Sequence, residues 1–301
     1  MPFVPAGDID IWYERSGEGT GRPTLVLTHG FAGPTACWPP IIDAFRRDFD
    51  LVLYDVRAHG RTGMPADPSA VTLPRFAADL AALLEGLGIE RAHIGGVSMG
   101  GMISAQFACD FPERVRSLLL CDSTAGNGKG RDAEANEAET QLVVAFERMA
   151  AIVERHGLAE LVRCENRYRR ERDPYARLAV CSLDEQDERN RRSKVEQMTA
   201  AGYLAANRAL RERPDLTSRT PRLTMPALVS CGEWDMFYPC ARRDARLIPN
   251  ARFVTIRGSA HATPDYQPHA WHRAVYDFID AVERGQDVRG TIQIAAGAGP
   301  R

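Results

Sequence analysis

With 301 residues, 44% of them apolar, the chain is long enough for one large α/β domain with an insertion or for two ordinary domains. A formal net charge of −2 leaves no footprint for nucleic acid or an anionic membrane surface. Seven cysteines, scattered and never spaced C-x-x-C, read as reduced core thiols rather than a disulfide frame or zinc site. Neither a secretory leader nor a membrane span is expected, so a soluble, cytoplasmic protein is the working expectation.

Residues 9–14 read as a strand, and residues 16–22, rich in glycine, as a turn. TLVLT at 24–28 is a short continuous apolar run, the mark of a strand buried on both faces, and it leads into His29-Gly30-Phe31-Ala32-Gly33. A helix is expected over 38–45, with prolines at its start, and a second buried strand over 51–54. After the loop Asp55 to Thr62, residues 73–87 show helical spacing and stop before Gly88. A strand at 92–97 then turns abruptly, at GGVSMGG, into a run with helical spacing that ends near Phe111-Pro112, and 115–121 is another buried strand. Strands alternating with helices imply right-handed crossovers and a mostly parallel sheet flanked by helices.

The rhythm breaks at Ser123. From about 124 to 219 no strand pattern appears and the composition turns charged and helical, which predicts an inserted helical cap over the ends of the strands. Strands resume at 227–231 and 252–256, and a last helix is expected over 270–282. The expected organisation is therefore a core of 1–123 and 220–285, a cap of 124–219 and a peripheral tail of 286–301.

Gly96, Ser98 and Gly100 fill the G-x-S-x-G pattern. A sharp strand-to-helix turn strains the serine backbone, so its neighbours two residues away must lack bulky side chains. The turn lifts the hydroxyl above the sheet, and the new helix aims backbone N–H groups at negative charge formed there. Ligands bind at strand carboxyl ends in open α/β sheets. Four such ends carry polar groups suited to catalysis, His29-Gly30, Ser98, Asp235 and His261, in the chain order serine, acid, histidine.

HGFAG at 29–33, DVRAHGRT at 55–62, GVSMGG at 96–101, CGEWDMFYP at 231–239 and GSAH at 258–261, in this order and spacing, resemble the α/β-hydrolase superfamily with a helical cap. The resemblance covers roughly residues 9–282 and is closest to the carboxylesterase, enol-lactonase and cofactor-free perhydrolase branch. It implies an α/β-hydrolase fold and a serine hydrolase acting on a carboxylic ester or lactone. Ser98 is then the nucleophile, and His261 the base that a poorly nucleophilic hydroxyl needs. Asp235 is the carboxylate that fixes the imidazole tautomer and stabilises its cation. Asp122 is an alternative acid position and Glu233 a neighbour with less precedent; His156, His269 and His272 lie in or beside predicted helices and fit ordinary surface or core roles. The resemblance also implies an oxyanion hole from the backbone N–H groups of Phe31 and Met99. Gly30 would let the chain turn close beneath the substrate, with His29 holding that loop. Asp55, Arg57 and His59 are read as a structural network; Ala58 stands where glycine is usual and Thr62 where serine is.

Trp38, Met102, Met236, Phe237 and Tyr238 flank the motifs and are expected to line the substrate pocket, beside Phe31 and Met99. Arginines crowd the cap (Arg163, Arg167, Arg169, Arg170, Arg172, Arg177); a solvated face is the ordinary reading, and one arginine turned inward to grip a substrate carboxylate the sharper one. No H-x-x-x-H, G-x-G-x-x-G or P-loop pattern occurs, so neither metal nor organic cofactor is implied. The expected partner is a small-molecule ester or lactone; the oligomeric state stays open. A carbon–carbon hydrolase of ring-cleavage products is a second reading, ranked lower because Ala262, not tryptophan, follows His261. A perhydrolase side activity and a ligand receptor built on a hydrolase fold are further alternatives. If His261 is the base, activity should rise through a pKa of about 6–7.

Overall fold

A computed structural model describes residues 2–297. The sheet runs β1 (Phe3–Pro5), β2 (Asp10–Ser16), β4 (Asp50–Tyr54), β3 (Thr24–Thr28), β5 (Ala92–Val97), β6 (Val115–Cys121), β7 (Ala227–Gly232), β8 (Ala251–Ile256) and β9 (Gly290–Ile294). β1 pairs with β2 and β2 with β4 antiparallel, and all other pairings are parallel. Alternation of side chains along each strand feeds two cores. Val26, Val52, Ile94, Leu118 and Val229 pack beneath α2 (Leu73–Gly86), α3 (Met99–Asp110) and α7 (Tyr238–Leu247). Leu25, Leu27, Leu51, Leu119, Leu228 and Val254 pack on α1 (Ile42–Asp48) and α9 (Pro268–Glu283), around Phe45, Trp271 and Phe278. Both faces are covered, which is why the central strands read as unbroken apolar runs.

Between β6 and β7 come α4 (Ala133–Glu171), α5 (Leu183–Arg191) and α6 (Ala200–Arg211). α4 is two helices joined at Gly157, whose φ of 81° breaks the spiral. Asp132, Ser182 and Thr199 cap the three N-termini through their side chains. Val153, Leu158, Leu161, Met198 and Tyr203 form a small core of their own that closes on Ala32. No helix of the described residues is long and apolar enough to cross a membrane.

Several expectations shift. The peripheral tail is in part sheet: Gly290–Ile294 pairs with β8 as a largely exposed edge strand, with Ile294 packed against the core, while residues 298–301 lie outside the described residues. The helix expected over 38–45 begins at Ile42, after a short 3₁₀ turn at Thr35–Cys37, because the two prolines keep the preceding residues extended. β1, α7 and the one-turn α8 (Thr263–Tyr266) were not anticipated.

Among the described residues, five non-glycine residues hold a positive φ: Ala32, Ala58, Ser98, Asp122 and Ala262. Each follows the carboxyl end of a strand, after β3, β4, β5, β6 and β8 respectively.

Candidate functional site

Ser98 sits between β5 and α3 with φ 56° and ψ −116°, a conformation costing about 1–3 kcal/mol for a side-chain-bearing residue. The turn is held by the Ser98 amide donating to the Cys121 carbonyl at 2.9 Å and by Ser123 Oγ donating to the Ser98 carbonyl at 2.7 Å. It also needs its glycines. A Cβ on Gly96 would stand 2.5 Å from the Gly100 backbone and the Thr28 carbonyl, and one on Gly100 would strike the same carbonyl. Gly30 is less constrained than expected, since a Cβ there would meet Val97 O at 3.5 Å and Ser98 Cβ at 3.7 Å, ordinary contact distances.

The Ser98 Oγ lies 3.1 Å from His261 Nε2. His261 Nδ1 lies 3.0 Å from both carboxylate oxygens of Asp235, a buried side chain that also accepts the Phe237 amide at 2.9 Å. Three side chains from the ends of β5, β7 and β8 thus form one hydrogen-bonded chain. Burial opposes the imidazolium, but the charge and hydrogen bonding of Asp235, with Asp122 and Asp265 behind it, prevail and raise the His261 pKa to about 9. That is above the 6–7 expected of a lone imidazole, and the carboxylates are the reason.

The two other acids do not reach the ring by hydrogen bond. Glu233 turns outward to Arg257 and accepts the Gly258 amide. Asp122, fully buried, accepts the Gly232 amide, the Thr263 amide and the Thr263 hydroxyl. Burial first, and then the charge of Asp235, push its carboxyl up to about 7.

Facing the serine, the loop after β3 is organised by two histidines. His29 Nε2 accepts the Val56 amide at 3.0 Å while its Nδ1 donates to the Gly30 carbonyl at 2.8 Å. His59 Nε2 accepts the Ala32 amide at 3.2 Å while its Nδ1 donates to the Arg57 carbonyl at 3.1 Å. Each ring therefore uses one nitrogen as acceptor and is neutral. Burial lowers the pKa of His29 to about 4 and that of His59 to about 3. With the Ala32 and Gly33 amides already engaged, the Phe31 N–H has no protein acceptor among the described residues, and neither does that of Met99 at the start of α3. Behind the loop, Asp55 accepts the Thr35 and Arg61 amides, and Thr62 Oγ1 accepts the Trp12 amide while donating to the Asp55 carbonyl. Arg57, wholly buried, forks onto Asp79 and Asp8.

A cavity of about 510 Å³ opens over Ser98. Phe31, Trp38, Met99, Met102, Met236 and Phe237 line it, together with Leu142, Phe146 and Tyr203 from the helical segment. Tyr238 does not. As the first residue of α7 it turns toward β8, where its hydroxyl meets Thr255 Oγ1 at 2.9 Å and its ring packs on Phe253. Of the six arginines singled out in the cap region only Arg169 reaches the cavity, held by Asp187 and Asn166. Arg189 and Lys194, which the sequence reading passed over, also line it. Arg189 pairs with Asp265, four residues past His261, and Lys194 Nζ lies 2.8 Å from Glu165. Both belong to a dense charge run that reads as a solvated face, so spacing alone gave no cue.

The family model for the alpha/beta hydrolase fold matches residues 23–268. The chain is 37% identical over 125 residues to a putative carbamate hydrolase RutD of Azorhizobium caulinodans, a stretch covering 42% of this chain and 45% of that protein. It is 26% identical over 287 residues to a putative carbamate hydrolase RutD of Caulobacter sp. (strain K31), covering 92% and 98%. Among solved structures it is similar to a thermophilic esterase from Thermogutta terrifontis in a malate-bound form, with 26% identity, a TM-score of 0.75 and coverage of 93% and 98%. Sheet order, motif order and a match over most of its length agree that the chain belongs to the α/β-hydrolase family.

Proposed function

We propose that the protein is a serine hydrolase that cleaves a carboxylic ester or lactone through an acyl-enzyme on Ser98. The observation that carries this reading is the unbroken chain from Ser98 Oγ through His261 to Asp235. As Oγ bonds to the substrate carbonyl carbon, His261 Nε2 takes the serine proton and the π pair moves onto the carbonyl oxygen. The unused N–H groups of Phe31 and Met99 offer that oxyanion two donors, each worth about 3–4 kcal/mol of barrier. When the pair returns, the ester C–O bond breaks and His261 gives its proton to the departing alkoxide, which stays tethered if the substrate is a lactone. Water, deprotonated by the same imidazole, then attacks the acyl carbon, and as the acyl–Oγ bond breaks His261 returns that proton to Ser98. In this reading the helices between β6 and β7 act as a cap that roofs the cavity and selects the substrate.

Arg169, Arg189 and Lys194 line the cavity, each paired with a carboxylate, Asp187, Asp265 and Glu165 respectively. The related esterase was solved with malate, a dicarboxylate, which makes an anionic group on the substrate's cap side the variant to test. The relatives' name favours carbamate hydrolysis as the second reading, since the same serine attack applies to a carbonyl bearing nitrogen. Turnover of chromogenic esters, lactones and carbamates side by side, with mass spectrometry of trapped acyl-Ser98, tests both. Loss of turnover and adduct in Ser98→Ala is expected. Full activity in that variant would end the reading, and preference for carbamates would favour the second.

A further inference from the structure

Next to Asp235 lies a second buried carboxylate that the proposed mechanism does not use. Asp122 follows β6 with φ 48°, and its amide donates to the Ser230 carbonyl of β7 at 2.9 Å. Its side chain spans the two loops that carry acid and base. Oδ1 accepts the Gly232 amide at 3.1 Å, three residues before Asp235. Oδ1 also accepts the Thr263 hydroxyl at 2.7 Å, and Oδ2 the Thr263 amide at 2.6 Å, two residues past His261. Ligating atoms of Asp122, Cys231 and Asp235 lie within 4.8 Å of one another.

Two carboxylates buried side by side repel, and Asp122 has no Lys or Arg among its hydrogen-bond partners. Three donors on two oxygens call for a carboxylate rather than a neutral amide, and its charge acts beyond those donors. What the charge gains is the nearby His261 ring. We propose that Asp122 is a positioning residue for the acyl-transfer site: it locks the Asp235 loop to the His261 loop, and its negative charge favours the imidazolium that forms when His261 takes the serine proton. This rests on the reading of Ser98, Asp235 and His261 as a working triad. The titratable groups around Asp122 are the Cys121 thiol of β6, Asp235 and the Cys231 thiol from β7 and its loop, and His261 from the loop after β8, whose ring also feels Asp265. Burial pushes the Cys231 thiol far up, so it stays neutral.

The test compares wild type, Asp122→Asn, Thr263→Val and Thr263→Ser on a chromogenic ester, with the His261 ring titrated by NMR in each. An asparagine presents one acceptor oxygen in place of two, so Asp122→Asn should lose about 10- to 100-fold in kcat with KM within about twofold. Its His261 midpoint should move down, because the second negative charge is gone. Thr263→Val should lower kcat while leaving the midpoint in place, and Thr263→Ser should restore wild-type behaviour. An Asp122→Asn enzyme with unchanged kcat and midpoint would overturn the proposal; should that variant fail to fold, an unchanged kcat in Thr263→Val would do so. If wild type hydrolyses no ester, the hydrolase reading fails separately, and an unmoved His261 midpoint in Asp122→Asn still decides against Asp122.

Discussion

Both carboxylate oxygens of Asp235 stand 3.0 Å from Nδ1 of His261, so the ring is held in the tautomer that leaves Nε2 free to accept the serine proton. The same contact raises the imidazole pKa to about 9 against the opposing effect of burial. A base must be unprotonated to act, so kcat/KM should climb through neutrality and reach half-maximum near pH 9 rather than at 6–7. In Asp235→Asn the rate should fall on the order of 10⁴-fold and the midpoint should drop. A wild-type profile already flat at pH 7, measured on an ester for which chemistry is rate-limiting, would contradict this. The stability effect of the raised pKa has the opposite trend: present in full below about 6.5, it is lost as pH rises through about 9.

His29 and His59 are neutral hydrogen-bond acceptors with pKa values lowered by burial to about 4 and about 3. A lowered histidine contributes stability above its unfolded pKa of about 6.5 and loses it as pH falls toward the folded value. Asp122 and Asp244, whose carboxyls burial raises, pull the other way, so the informative comparison is with a variant. Between pH 6 and 4, His59→Gln should lose stability less steeply than wild type by about 1.4 kcal/mol per pH unit. Parallel urea-midpoint curves for the two proteins would refute the assignment.

Arg57 is fully buried and bonded twice to the equally buried Asp79. Arg57→Met strands that carboxylate and should cost about 3–5 kcal/mol in urea unfolding. A loss under about 1 kcal/mol would mean that Asp79 is rescued by Arg75, which lies 3.5 Å away.

Arg189 is the cation that connects the helical segment to the loop of His261. If the substrate carries a negative group on that side, Arg189→Ala should reduce kcat/KM for a monoanionic ester about 10- to 100-fold more than for its neutral counterpart. Arg163→Ala, whose side chain is exposed and pairs with Glu160, should change neither. Equal losses on both esters would remove the anionic group from the substrate description.

How much of this could be read from the chain depended on what the residues had to do locally. TLVLT, AHIGGV and VRSLLLC announced strands β3, β5 and β6 with their observed bounds, because strands buried on both faces are mostly apolar, with His93 and Ser117 pairing each other where they are not. The serine turn was equally legible, since only glycine fits beside the Thr28 carbonyl. α7 escaped because Arg243 and Asp244 look like surface residues yet are buried in a cluster with Glu139 from α4. β9 escaped because its alternation is limited to Ile292 and Ile294 inside a polar, glycine-bounded stretch. Arg189 was passed over and Tyr238 placed in the pocket for one reason: the direction of a side chain depends on a helix's rotation about its axis, which charge composition does not encode.

The five left-handed residues draw a line across the molecule. Relaxed geometry prevails at the amino ends of the parallel strands, whereas the rim bearing Ser98 carries backbone tension at Ala32, Ala58, Ser98, Asp122 and Ala262. Thermostabilising substitutions are thus best directed to the opposite rim, where nothing depends on an uncomfortable turn. Easing the tension at Ser98 with glycine would yield a sturdier protein that had given up the shape it was strained to hold.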